Sequence, residues 1–201
     1  KVTRVLPQGG SADTAIDLAI ASHGLPHEFE AASLREARKY GREVDSAGRA
    51  GRRDLRELPL ITIDAEDARD FDDAVWAQES AGGFRLIVAI ADVSHYVRTG
   101  MQLDTEARER ATSVYFPNRV LPMLPEPLSN HLCSLMPKVD RLCMVCDMQV
   151  TKAGRVSSSS FHAAVMRSAA RLTYTQVAAM LEGRDPKARR ELSAILPSLE
   201  C

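Results

Sequence analysis

The chain has 201 residues, 45% of them hydrophobic, and its 26 basic and 27 acidic side chains leave a formal charge of −1. That balance excludes recognition of nucleic acid through net charge, although a local basic groove can exist beneath it. No apolar run approaches the roughly 18 residues of a spanning helix, no secretory leader is visible, and the four cysteines Cys133, Cys143, Cys146 and Cys201 suit a reducing compartment. The expected setting is therefore cytoplasmic, away from membranes.

Lys1 to Val5, which lacks an initiator Met, alternates like a strand, and Gly9-Gly10-Ser11 turns it into a helix over 12–22 with Gly24 as its stop. A charged helix is expected over 28–44. Residues 46–58, rich in Gly and Arg, read as a linker. Its arginines, Arg49, Arg52, Arg53 and Arg56 with Arg42 just before, suit either RNA phosphates or a solvated connector.

Next comes an acidic stretch, Ile61-Thr62-Ile63-Asp64-Ala65-Glu66-Asp67-Ala68-Arg69-Asp70-Phe71-Asp72-Asp73-Ala74-Val75-Trp76. Leu60 to Ile63 and Ala74 to Trp76 read as short buried strands, so the acids sit where strands end. Glu66 and Asp67 can reach water. Asp64, Asp70, Asp72 and Asp73 cannot all do so, and packed carboxylates raise one another's pKa. A hard divalent cation on oxygen ligands relieves such repulsion and brings metal-assisted phosphodiester hydrolysis within reach. An EF-hand is excluded, because no frame fits and no Gly lies between Asp64 and Asp73. In a straight strand Asp72 and Asp73 would face opposite ways, so convergence of all four requires a bend.

Gly82-Gly83 marks a hairpin into a strand over 84–91, ending at Asp92, which either joins the acids or caps the next turn. His95 reads as a surface or packing residue. Asp104 is placed to cap a helix over 105–111. Tyr115 and Phe116 stand before Pro117 in a segment that prolines hold extended, the kind of setting in which an aromatic ring can stack on a base. Cys143-Met-Val-Cys146 has C-x-x-C spacing, but His131 and Cys133 match a zinc pattern poorly, so a core role is expected. Residues 151–155 form a hairpin, 157–160 a serine run without assigned chemistry, and 161–166 a strand. Thr173 to Gln176 is a capping box for a helix ending near Gly183, and Asp185-Pro186 opens a last helix bearing Leu192, Ile195, Leu196 and Leu199.

The T-I-D-A-E-D-A-R-D-F-D-D-A string resembles the signature of the RNase II/RNase R (RNB) exoribonucleases, with Ala65 where many members have Gly. A-I-A-D-V-S-H-Y-V at residues 89–97, T-S-V-Y-F-P at 112–117 and L-S-N-H-L-C-S-L at 128–135 continue the likeness. The resemblance implies an α+β fold with a mixed β-sheet and packed helices. Residues 1–57 would be the end of a cold-shock (OB-type) region plus a helical linker, and 58–201 the N-terminal half of the catalytic domain. It further implies a monomer that hydrolyses single-stranded RNA from the 3′ end to nucleoside 5′-monophosphates with Mg²⁺, or Mn²⁺ in its place. Asp64, Asp70, Asp72 and Asp73 are the implied metal ligands, with Asp72 and Tyr115 catalytic. Tyr115 would hold the 3′-terminal nucleotide, and Asp72 would position a second ion or the attacking water.

The alternative is a non-catalytic RNA-binding remnant. The intact aspartate set speaks against it, since binding alone gains nothing from negative charge beside phosphates. The expected later half of the domain, with a further glutamate and an arginine segment, has no match here, and that speaks for the remnant.

Overall fold

The computed structural model describes residues 12–201. In chain order they form α1 (Ala12–Ser22), α2 (Ala31–Arg38), α3 (Ser46–Arg49), β1 (Arg53–Leu55), β2 (Ile61–Asp64), β3 (Asp73–Ser80), β4 (Gly83–Ala91), α4 (Val93–Tyr96) and α5 (Gln102–Arg110). Then follow β5 (Val114–Phe116), β6 (Arg119–Leu121), a π-helical turn (Leu128–Leu132), β7 (Asp140–Thr151), β8 (Val156–Arg167), β9 (Ala170–Thr173), α6 (Tyr174–Leu181), α7 (Pro186–Glu191) and α8 (Leu196–Glu200). The strand expected at 1–5 and the turn at 9–11 lie outside the described residues. Among the described residues two compact units result, residues 12–39 with 97–126, and residues 40–96 with 127–201.

In the first unit, α1 buries Ile16 and Ile20 against Leu121, with Leu25, Val114 and Phe116 packed alongside. The long helix expected over 28–44 shrinks to α2. Glu30 is extended, and Gly41, at φ +70, takes a backbone shape that ends helices. Helix α5 starts earlier than expected, and Asp104 is not its cap. The Glu36 carboxylate of α2 accepts from the Gln102 and Leu103 N–H groups instead, satisfying donors that a helix start leaves open. Buried Arg110 ties the unit together. It donates to the Pro26 and Glu28 carbonyls and to Glu106, and it lies 3.7 Å over the Phe29 ring.

The second unit is built on a seven-stranded mixed sheet in the order β1-β8-β7-β4-β3-β2-β9. The β1–β8 and β2–β9 pairs are parallel and the rest antiparallel. Strands β8 and β9 stand five places apart, which is about 24 Å in a flat sheet. Yet Arg167 and Ala170 are three residues apart, a reach of at most about 11 Å. The sheet must therefore curl, bringing its two margins toward each other.

The expected linker at 46–58 proves to belong to this unit. It supplies α3, capped by Asp45 through the Gly48 N–H, and β1, which pairs with β8. The serine run at 157–160 lies inside β8, and the cysteines of the C-x-x-C spacing lie on β7, an odd step apart and so on opposite faces. All four cysteines are free thiols. The capping box at Thr173 and the Asp185 cap form as expected. The last helix is broken into α7 and α8, with Pro197 in the first turn of α8. Ile195 joins Ile61 and Leu172 in a buried cluster flanked by Leu192 and Leu199.

Gly83 starts β4 so close to β7 that an added Cβ would lie 1.9 Å from the Val150 carbonyl oxygen. Backbone on both sides leaves nothing to rotate away. Gly83→Ala should lower stability by about 2–4 kcal/mol, read as a fall in the urea midpoint; an unchanged midpoint would contradict this packing.

Candidate active site

Strand β2 ends on Asp64 and β3 begins on Asp73, with an irregular loop over 65–72. The loop is tied at several points. Arg171, on β9, donates from Nη2 to the Ala65 and Glu66 carbonyls at 2.9 and 2.6 Å and lies 5.4 Å from the Phe71 ring centroid. Phe71 is buried. Its N–H donates to Ser134 Oγ at 3.0 Å, and Ser134 Oγ donates in turn to the Arg69 carbonyl. The Leu135 N–H donates to the Phe71 carbonyl and the Ala91 N–H to that of Asp72, both at 2.8 Å. Neither Ser134 nor Arg171 is singled out by sequence pattern; Ser134 sits in the L-S-N-H-L-C-S-L string, but nothing local marks its contact with the loop.

The held aspartates repel one another. Burial pushes Asp64 upward first, then the charges of Asp73 and Asp70, with Arg171 opposing. Asp72 keeps an exposed edge, yet the protein around it pushes its pKa up, followed by Asp70, Asp73 and Asp64. The strongest carboxylate neighbour of Asp64 is therefore Asp73, and that of Asp72 is Asp70.

The loop between the two strands is irregular, and Asp64, Asp70, Asp72 and Asp73 lie close enough for their charges to add to the upward shifts of Asp64 and Asp72. Among the described residues no three His, Cys, Asp or Glu side chains are gathered to hold one ion. The donor chemistry nonetheless fits a hard cation. All four candidate groups are carboxylates, and buried Asp64 Oδ2 has no hydrogen-bond partner, a position that would otherwise be penalised.

Asp92 takes the capping role rather than joining the cluster. It accepts from Ser94 Oγ and the His95 N–H, and its other oxygen pairs with Arg52. Burial pushes its pKa up, but these partners outweigh burial and hold it below the ordinary value. His95 packs beside Tyr40 and Tyr96. Tyr115, in the first unit, is 65% exposed, whereas Phe116 turns into the Ile16–Ile20–Leu121 cluster.

The pattern of acids at strand ends can be compared with known proteins. A family model described as RNB domain matches residues 52–200. The chain belongs to the RNB domain family. This RNB chain is 51% identical over 201 residues to Ribonuclease R of Escherichia coli (strain K12), covering all of itself and 25% of that protein. It is 48% identical over 199 residues to Ribonuclease R of Acidithiobacillus ferrooxidans, covering 99% of itself and 45% of the relative. The RNB chain thus spans about a quarter to a half of these relatives. Its structure matches Mycoplasma genitalium RNase R in complex with double-stranded RNA at a TM-score of 0.91 and 32% identity, over 98% of this chain and 35% of that one. Yeast Ssd1, described as a pseudonuclease, shares the fold alone, with a TM-score of 0.62 at 18% identity over 77% of this chain and 20% of that one. No helix among the described residues is long and apolar enough to cross a membrane.

Two outcomes follow. A carboxylate whose pKa is raised by folding makes the folded state bind more protons than the unfolded one, so stability falls as pH rises from the ordinary carboxylate pKa through the raised one. Asp72→Asn should therefore raise the melting temperature at pH 7 in chelator, and the gain should vanish near pH 3; a gain that persists there would refute the repulsion. Ser134→Ala removes both links to the loop and should lower stability by about 1–3 kcal/mol, measured by urea unfolding.

Proposed function

We propose that this chain carries the metal-binding aspartates of a Mg²⁺-dependent hydrolytic exoribonuclease that shortens single-stranded RNA from its 3′ end and releases nucleoside 5′-monophosphates. The observation that carries this reading is the complete set of Asp64, Asp70, Asp72 and Asp73, held at strand ends in an RNB domain with one buried carboxylate oxygen unpartnered. A fold kept only for binding would not maintain four mutually repelling acids beside a polyanion.

Asp64, Asp70, Asp72 and Asp73 would hold the ion, with Mn²⁺ able to replace it. A magnesium ion bound there supplies a Lewis acid for a phosphate oxygen and acidifies a bound water. Asp72, beside the start of β3, positions a second ion or the attacking water. Arg171 and Ser134 fix the loop, so the carboxylates need not reorganise when charge develops. Tyr115 presents an exposed ring on which a terminal base can stack. A binding-only reading is favoured by one observation, that no three of the acids gather around a point.

Incubating the chain with 5′-labelled single-stranded RNA decides between them. Stepwise shortening from the 3′ end is expected with Mg²⁺, none with chelator, and a loss on the order of a hundred-fold or more in Asp72→Asn, the scale of one lost transition-state contact. Retained binding of RNA without shortening, in a chain that melts cooperatively, would mean either the binding-only reading or a need for the later half of the domain, and adding that segment separates the two.

A further inference from the structure

We infer that Arg49, Arg56, Lys138 and Arg167 form a docking surface for the phosphodiester backbone of single-stranded RNA, on the rim of the sheet that carries the aspartates. The inference rests on the reading of RNA as the substrate.

The arginines of residues 46–58 divide into two kinds. Arg52 is structural. It is nearly buried and pairs with the 5%-exposed Asp92. Arg49 and Arg56 behave differently. Both reach Asp140 Oδ2, at 3.2 and 3.3 Å. Arg167, at the end of β8, takes the other oxygen through Nε and Nη2 at 3.0 and 2.7 Å. Asp140 is 14% exposed, while Arg49, Arg56 and Arg167 keep 38%, 34% and 47% of their side chains in solvent. One carboxylate needs one counter-charge. Asp54, which Arg56 also grips, answers a second, so one positive charge is left over. Such a fork of partly used guanidinium groups matches the geometry of phosphate oxygens.

Lys138 adds another charge and an independent sign of function. It is exposed and sits at φ +64, in the left-handed region that a long side chain rarely adopts. Its N–H donates to the Ser168 carbonyl at 2.8 Å, and Pro137 bridges to Ser168, so the neighbourhood forces the conformation. Glycine would sit there without strain. A strained cation beside an over-supplied arginine cluster points to a ligand more than to stability.

Strand register places the cluster relative to the acids. Asp73 faces Ile90, Ala91 faces Cys143, and Asp140 faces Arg167. These positions lie toward one end of the sheet: β3 and β8 are three strand spacings apart, roughly 15 Å, and Arg167 stands four residues, about 13 Å, beyond the row of Asp73, which meets β8 at Ala163. An RNA strand approaching four aspartates meets repulsion, and cations on the same rim offset it.

The test is fluorescence anisotropy of labelled single-stranded RNA with the chain in chelator, across a salt series. For single strands each neutralised phosphate contributes about 0.7 to the slope of log affinity against log salt, which corresponds to about five-fold in affinity at 0.1 M salt. Lys138→Gly and Arg167→Gln should each weaken binding about five-fold and reduce the slope by about 0.7, and the double variant by about 25-fold and 1.4. Arg167→Gln leaves two arginines on Asp140, and Lys138→Gly removes strain, so its melting temperature should hold or rise while affinity falls. A purely structural role cannot produce that opposition. Affinity within two-fold of wild type with an unchanged slope overturns the proposal, as does absence of RNA binding by the wild-type chain. Because no metal is present, weakened binding by these variants leaves the docking surface standing whatever the separate Mg²⁺ assay of shortening shows, so the two readings fail separately.

Discussion

Everything at the acid end of the sheet depends on holding like charges close together. Isolated carboxylates would move apart into water, so the backbone that carries them must be fixed by something other than the carboxylates. Phe71 supplies the fixed point. Its ring is buried between strand and loop, and both its peptide groups are engaged by Ser134 and Leu135. Arg171 closes the other limb through two carbonyls. The loop is therefore held where the acids are attached, and burial, with the neighbouring carboxylates adding to it, pushes the pKa values of Asp64 and Asp72 up.

The same logic separates this rim from an ordinary charged surface. Arg52 and Asp92 form a nearly closed pair that caps α4 and joins α3 to the end of β4. Asp140 instead gathers more cations than it can neutralise. A buried pair with good geometry organises the chain, whereas an exposed surplus leaves a field to be filled from outside. Both kinds arise within a dozen residues of a single arginine-rich segment.

What could be read in the sequence was local. The hairpin at Gly82-Gly83, the capping box at Thr173, the Asp185-Pro186 start and the cap on Asp92 each use neighbours a few residues apart, and each forms. The acid string was legible because its residues are contiguous. What escaped depended on distant partners. Glu36 caps α5 from 66 residues away, so Asp104 looked like the better candidate. Residues 46–58 looked like a linker because their partners, Asp140, Asp147 and β8, lie some 90 residues on or more. Ser134 is a serine like any other until the fold sets it beside Phe71.

The two-residue passage from β8 to β9 has a consequence for how the protein assembles. Strand β9 can pair with β2 only after the intervening strands have formed and curled far enough to bring the margins within reach. Loop closure of that kind carries an entropic penalty before it gains any contact, and pairings so distant in sequence slow folding. Since Arg171 lies on β9, the acid loop receives its clamp only in the last step of closure. A partly folded chain therefore has its aspartates but not their arrangement, and the acid loop takes its shape together with the completed sheet.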